Sequence, residues 1–184
     1  MWWCKAGRDG TGVARGFRVA IAVALALTSG SCGFHPSGQP KLPFQSLYIS
    51  APTYSSFAAE LKRYVASGSG DKLAARPEEA EVVLDILGDA QETQILSLSD
   101  SGRVAEYLLR YRVTYRLRDK AQKEWIPRSE ILIRRDYTYD DQAVLAKENE
   151  QYLLFQAMRD DAVRQMMRRL SQARAPAGSP VNDG

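Results

Sequence analysis

From Tyr107 to Arg118 apolar and polar positions alternate with a period of two. Tyr107, Leu109, Tyr111, Val113, Tyr115 and Leu117 interleave with Leu108, Arg110, Arg112, Thr114, Arg116 and Arg118. That period predicts a strand with one apolar and one cationic face. A second strand is expected from about Val82 to Leu98. Its first half, VVLDILGDA, is apolar enough to be buried, and its second half, QETQILSLS, is polar enough to overhang. A third, Trp125 to Tyr139, sets Ile131 and Ile133 on one face with Arg135 and Tyr137, and Leu132 with Arg134 on the other. Turn residues at Ser99–Gly102 and Asp119–Lys123 join these strands closely, so an antiparallel meander is the economical arrangement. Upstream, Leu47-Tyr48-Ile49 reads as a brief strand closed by Pro52.

The apolar spacing changes twice to threes and fours, the mark of a helix lying on a core. Ser55 or Ser56 can cap the first helix, which carries Phe57, Leu61, Tyr64 and Val65 on one face and stops at Gly68-Ser69-Gly70. Asp140 and Asp141 are expected to cap a longer helix reaching about Ala173, with Arg168, Arg169 and Arg174 suiting its negative end. Its stripe is Val144, Phe155, Ala162 and Met166, flanked by Met158, Val163 and Leu170. The order β-α-β-β-β-α predicts an α+β two-layer sandwich: an antiparallel or mixed sheet of about four strands, with two helices packed on one face. The single domain spans 46–173, and 174–184 is expected to be a disordered tail.

Ahead of the domain, nine apolar residues from Val19 to Leu27 follow Lys5, Arg8, Arg15 and Arg18. The run is too short to cross a bilayer, and with its basic leader it reads as an export signal over 1–31. It ends at Thr28-Ser29-Gly30-Ser31-Cys32-Gly33, which resembles a bacterial lipobox, where the cysteine is lipidated and becomes the mature N-terminus. Ser29 stands where that pattern wants an aliphatic residue, and the competing reading is an ordinary signal with a leftover thiol. Removing the leader changes the charge. Four of the 25 basic and one of the 22 acidic residues lie in 1–31, so the remainder carries 21 of each and no net charge. Nucleic-acid binding by bulk charge loses its support. Cys4 leaves with the leader, so Cys32 has no internal disulfide partner. Residues 32–45, rich in proline, read as a tether. The single histidine, His35, sits in it with no clustered partner for a metal or a proton-transfer role.

Enzyme chemistry has little to stand on. The chain lacks a Walker loop, GxSxG, HExxH and CxxC. Adjacent Asp140 and Asp141 at a helix start are caps rather than an acid–base couple. No catalytic residue, cofactor or metal site is expected. Lys147, Glu148 and Glu150 belong to a solvated helix face, with Glu148 a candidate for partial cover. The arginine stripe is more informative: Arg110, Arg112, Arg116 and Arg118, with Arg134 from the next strand, would present guanidinium forks suited to phosphate. The competing reading pairs them with carboxylates such as Asp85 and Asp89 on the neighbouring strand.

Cys32-Gly33-Phe34-His35, Arg103-Val104-Ala105-Glu106-Tyr107, and above all Tyr139-Asp140-Asp141 followed by Leu145-Ala146-Lys147-Glu148-Asn149-Glu150-Gln151 resemble the lipopolysaccharide-assembly lipoprotein family LptE. The resemblance covers about residues 32–173, with Pro36 a departure. It implies a non-enzymatic outer-membrane lipoprotein of a Gram-negative cell, anchored through Cys32. Its implied partners are the large β-barrel LptD, in whose lumen it sits one-to-one facing the periplasm, and lipopolysaccharide, which it helps deliver to the surface. The family's helix-start lysine maps onto Lys147; Arg103 lies near the preceding turn without clearly occupying a family position. Gly33 is not aspartate, so nothing there argues for inner-membrane retention. Joined with the stripe, this makes Lys147, Arg110 and Arg112 the candidate lipopolysaccharide-binding residues. The alternative is a periplasm-facing lipoprotein scaffold that binds another envelope protein without touching lipid.

Overall fold

A computed structural model describes residues 41–69, 72–140 and 142–176. Cys32, the export signal and His35 lie outside them, as do Asp141 and residues 177–184. Strand β1 (Leu47–Ser50) leads through helix α1 (Ser56–Ser69) to β2 (Val82–Leu98), β3 (Val104–Asp119) and β4 (Glu124–Thr138), then to helix α2 (Val144–Ser171). The sheet order is β1-β2-β3-β4. β1 runs parallel to β2, which requires a crossover such as α1, and the remaining pairs are antiparallel hairpins. The expected mixed four-stranded α+β fold is therefore the observed one.

Alternation decides which face the helices cover. Leu109, Tyr111, Val113, Tyr115 and Leu117 are buried, with Phe57, Leu61 and Val65 of α1 and Met158, Ala162, Met166 and Leu170 of α2 in the same core. Ser55 Oγ accepts from Ala58 N at 3.1 Å, capping α1. That cap is fastened to the sheet: Asp89 Oδ2 accepts from Ser55 Oγ at 2.7 Å and from Phe57 N at 3.2 Å. On α2, Arg135 donates to Asp161 at 2.6 Å, tying the helix to β4.

Three expectations need correction. The pairing of Asp89 with the arginine stripe fails because β2 bulges between Ile86 and Gly88. One extra residue reverses the parity of everything beyond it, so Asp89 follows Leu84 and Ile86 onto the helix-facing side. The cap of α2 is Ala143, with no side-chain cap bond; Asp140 Oδ1 instead accepts from Gln142 N at 2.9 Å in the turn before the helix. Val144 is not part of the buried stripe, whose members begin at Phe155. Helix α2 is about 42 Å long at 1.5 Å per residue, so its first turns project beyond the apolar part of the sheet.

The start of the domain also differs from the sequence boundary. Residues 41–45 form no helix or strand, but Leu42 and Phe44 enter the core. Phe44 meets Trp125 edge-on at 6.2 Å, and Lys72 Nζ donates to the carbonyls of Leu42 (3.3 Å) and Phe44 (2.9 Å). Prolines exclude regular structure here without excluding packing.

Candidate functional site

The uncovered face of the sheet carries the arginine stripe. Asp85 sits opposite Arg116 in the β2–β3 register and next to Arg118. Its Oδ2 accepts from Arg118 Nε at 2.7 Å and from Arg116 Nε at 2.8 Å. Burial alone would raise the Asp85 carboxyl, but bonds from Arg118 and Arg116 outweigh it and hold it below the usual carboxylate range. The same bond raises Arg118. These two guanidinium groups are therefore committed to the protein's own carboxylate.

Farther along, Arg112 lies 3.6 Å from Glu92 and 3.8 Å from Glu130, loose contacts on half-exposed side chains. Arg110 stands directly opposite Arg134. Among the described residues no ion pair joins either to a carboxylate, and the Nε atoms of Arg110 and Arg112 are buried without a hydrogen-bond partner. The stripe thus divides: Arg116 and Arg118 share Asp85, which offsets one of their two charges, while Arg110, Arg112 and Arg134 are only loosely compensated.

Lys147 lies on the opposite side of the sheet. Its Nζ is 2.8 Å from Glu150 Oε2 and 6.0 Å from the centre of the Tyr137 ring. Tyr137 stacks on Tyr107 at 5.8 Å, and Tyr107 meets Tyr139 edge-on at 5.1 Å. The Tyr137 hydroxyl donates to Gln151 Oε1 at 2.8 Å, and Gln151 Nε2 donates to Thr93 Oγ1 at 3.1 Å. Burial, then the neighbouring Tyr107, Tyr139 and Glu150, raise the Tyr137 hydroxyl and keep it a donor. Because Tyr137 faces the helix layer and Arg110 and Arg112 face away from it, the three candidate residues do not share one pocket. A single phosphate cannot bridge them. The physical reason is the two-residue period that made the stripe legible in the first place.

Several apolar side chains on β2 and α2 are exposed: Ile95, Leu98 and Tyr152 are more than half exposed, and Leu145 is 82% exposed. Glu148 is exposed rather than partly covered. The tyrosine cluster and the Gln151 bridge are not apparent along the chain, since they depend on the β3–β4 register and on where α2 crosses it. Their one trace is Tyr107, Tyr137 and Tyr139 at phase-matched positions on two adjoining strands. Among the described residues no group of three or more His, Cys, Asp or Glu could hold a metal, and no helix is long and apolar enough to cross a membrane.

A family model described as LptE, lipopolysaccharide-assembly, matches residues 44–170. The solution structure of an uncharacterized lipoprotein B from Nitrosomonas europaea is similar at 36% identity and TM-score 0.66, covering 76% of this chain and 90% of that one. The crystal structure of rare lipoprotein B from Shewanella oneidensis is similar at 28% identity and TM-score 0.59, covering 69% and 94%. A minor lipoprotein from Acinetobacter baumannii is similar at 26% identity and TM-score 0.57, covering 76% and 100%. No curated protein matches the chain.

Proposed function

The chain belongs to the LptE lipopolysaccharide-assembly family, and from that footing we propose that it is a non-enzymatic outer-membrane lipoprotein anchored through Cys32. It plugs the lumen of the LptD β-barrel in a 1:1 complex, assists that barrel's assembly and helps pass lipopolysaccharide to the cell surface. The observation that carries the reading is the family match over 44–170, which spans nearly all of the folded domain.

Lipopolysaccharide presents phosphates and acyl chains. Lys147 stands by the tyrosine cluster on a helix whose first turns also expose Leu145 and Tyr152, so this end of α2 offers a cation and apolar side chains together. Arg110 and Arg112 form a separate cationic position on the other face, so they contact a different phosphate or a different part of the barrel. Lys147→Asp should weaken binding of the purified chain to lipopolysaccharide, more at low salt than at high, and should leave co-purification with the barrel intact. An Arg110→Ala/Arg112→Ala double variant tests the second position independently. Undiminished lipid binding in both variants leaves the scaffold alternative, and loss of co-purification with any large outer-membrane barrel removes the LptD reading.

A further inference from the structure

We propose that Arg110 and Arg134, abreast on the open face of the sheet, form a seat for a phosphate-class oxyanion. The seat deepens the lipopolysaccharide reading and rests on it only for the source of the phosphate. In the strand register Arg110 stands between Glu92 on β2 and Arg134 on β4, so the three side chains share one face. Glu92 is the carboxylate placed to neutralise Arg110. It lies instead 3.6 Å from Arg112, which Glu130 approaches from the β4 side at 3.8 Å. Arg112 therefore has two carboxylates nearby, and the pair beside it has no ion-pair partner among the described residues. Asp136, two positions beyond Arg134 on β4, joins neither arginine in an ion pair.

The Nε–H of Arg110 is shut off from solvent with no acceptor. A buried donor left unmade costs free energy, and like charges set directly opposite each other repel. Both costs fall when an anion enters between the two guanidinium groups.

The root of the same face shows how the chain satisfies an arginine pair by itself. Arg116 and Arg118 follow each other along β3, and Asp85 on β2 accepts an Nε–H from each. At Arg110 the neighbour on β4 is a second cation instead. Two forks side by side offer more donors, and one more charge, than a single carboxylate can match. A phosphate with two negative charges accepts from both forks and offsets both charges. Arg134 is exposed, so a phosphate carried on a larger molecule can reach the pair. Leu108 and Leu132, both half-buried, take flanking positions on the same face and offer apolar contact to that carrier. Lys147 lies on the other side of the sheet, so the seat and the lysine engage separate phosphates.

The arginine Nε–H signals of the isotope-labelled full chain in neutral detergent, titrated with inorganic phosphate at constant ionic strength, test this. The Arg110 and Arg134 signals are expected to shift together and saturate. Arg134→Gln should weaken the binding read at Arg110 by about tenfold or more. Arg134→Lys, which keeps the charge without the fork, should recover only part of it. Arg128→Gln, on the same strand outside the seat, should change nothing. A pair that ignores phosphate, that binds acetate as tightly, or that responds equally in Arg134→Gln overturns the proposal. Lipopolysaccharide is the second arm. If it shifts the same two signals and Arg134→Gln weakens it, the seat takes a lipid phosphate. If inorganic phosphate alone shifts them, the seat stands with a soluble source and the lipopolysaccharide role fails at this face.

Discussion

Strand β2 is built to two standards along its length. At its root, Val82, Leu84 and Ile86 are enclosed by β1, α1 and β3, and Leu84 has no exposure at all. At its tip, Ile95, Leu96 and Leu98 stand at 50% exposure or more. One strand thus stabilises the domain at one end and displays apolar surface at the other. The difference separates what the fold needs from what a partner can use.

The sharpest way to break that division is to remove the same side chain at both ends. Leu84→Ala should cost about 2–5 kcal/mol, because the site cannot collapse around the lost volume. Leu98→Ala should stay within about 0.5 kcal/mol. Denaturant midpoints with an unchanged m-value measure both, and equal losses would mean the tip is also structural.

Next in size is the polar lock on the open face at the root. Asp85 has a depressed pKa in the folded protein, so its contribution is complete above the ordinary aspartate value, about 3.9, and is lost as pH falls through the depressed one. Asp161, lowered against its own burial by bonds from Arg135 and Arg164, adds to the same acid window. Asp85→Asn should cost about 1.5–3 kcal/mol at neutral pH and flatten the stability profile below about pH 4. A variant with the wild-type acid profile would show that the arginine pair contributes little. Ser55→Ala comes third, at about 1 kcal/mol for the lost cap; thermal melts would detect it, and no change would mean that Asp89 holds the helix start alone.

These effects also trace what could be read from the chain. The three long strands were legible because alternation or continuous apolar runs persist for many residues; the first half of β2 is buried as expected, but its second half, expected to overhang, stays paired with β3 as far as Leu98 and is only more exposed. The position of Asp89 was not legible. A one-residue bulge leaves no pattern break that composition reveals, yet it moves a carboxylate from the arginine face to the cap of α1. Likewise Asp140 looked like the cap of α2, but it closes the turn before the helix, which begins four residues on at Val144. Lys147 was legible as a residue of interest through resemblance. Its separation from Arg110 and Arg112 was not, because only the packing of α2 decides which side of the sheet it joins.

The smallest expected effect on stability belongs to Lys147, and it is the one that most sharpens the contrast between root and tip. Its ion pair with Glu150 is three residues away on an exposed helix turn, an arrangement worth about 0.2–0.5 kcal/mol. The Tyr137 ring lies at the outer limit of a cation–π contact. Lys147→Met keeps an apolar stem and a sulfur beside that ring, so folding stability should move by no more than about 0.5 kcal/mol. If Lys147 meets a lipid phosphate, it must exchange Glu150 for it. Removing the charge should then weaken lipopolysaccharide binding and reduce its salt dependence, while Glu150→Gln, which releases the lysine, should strengthen binding. Both variants fold alike, so titration with lipopolysaccharide at two salt concentrations separates them. A Glu150→Gln chain that binds no better than wild type, alongside a Lys147→Met chain that binds no worse, would leave the tip an apolar contact surface with a structural lysine.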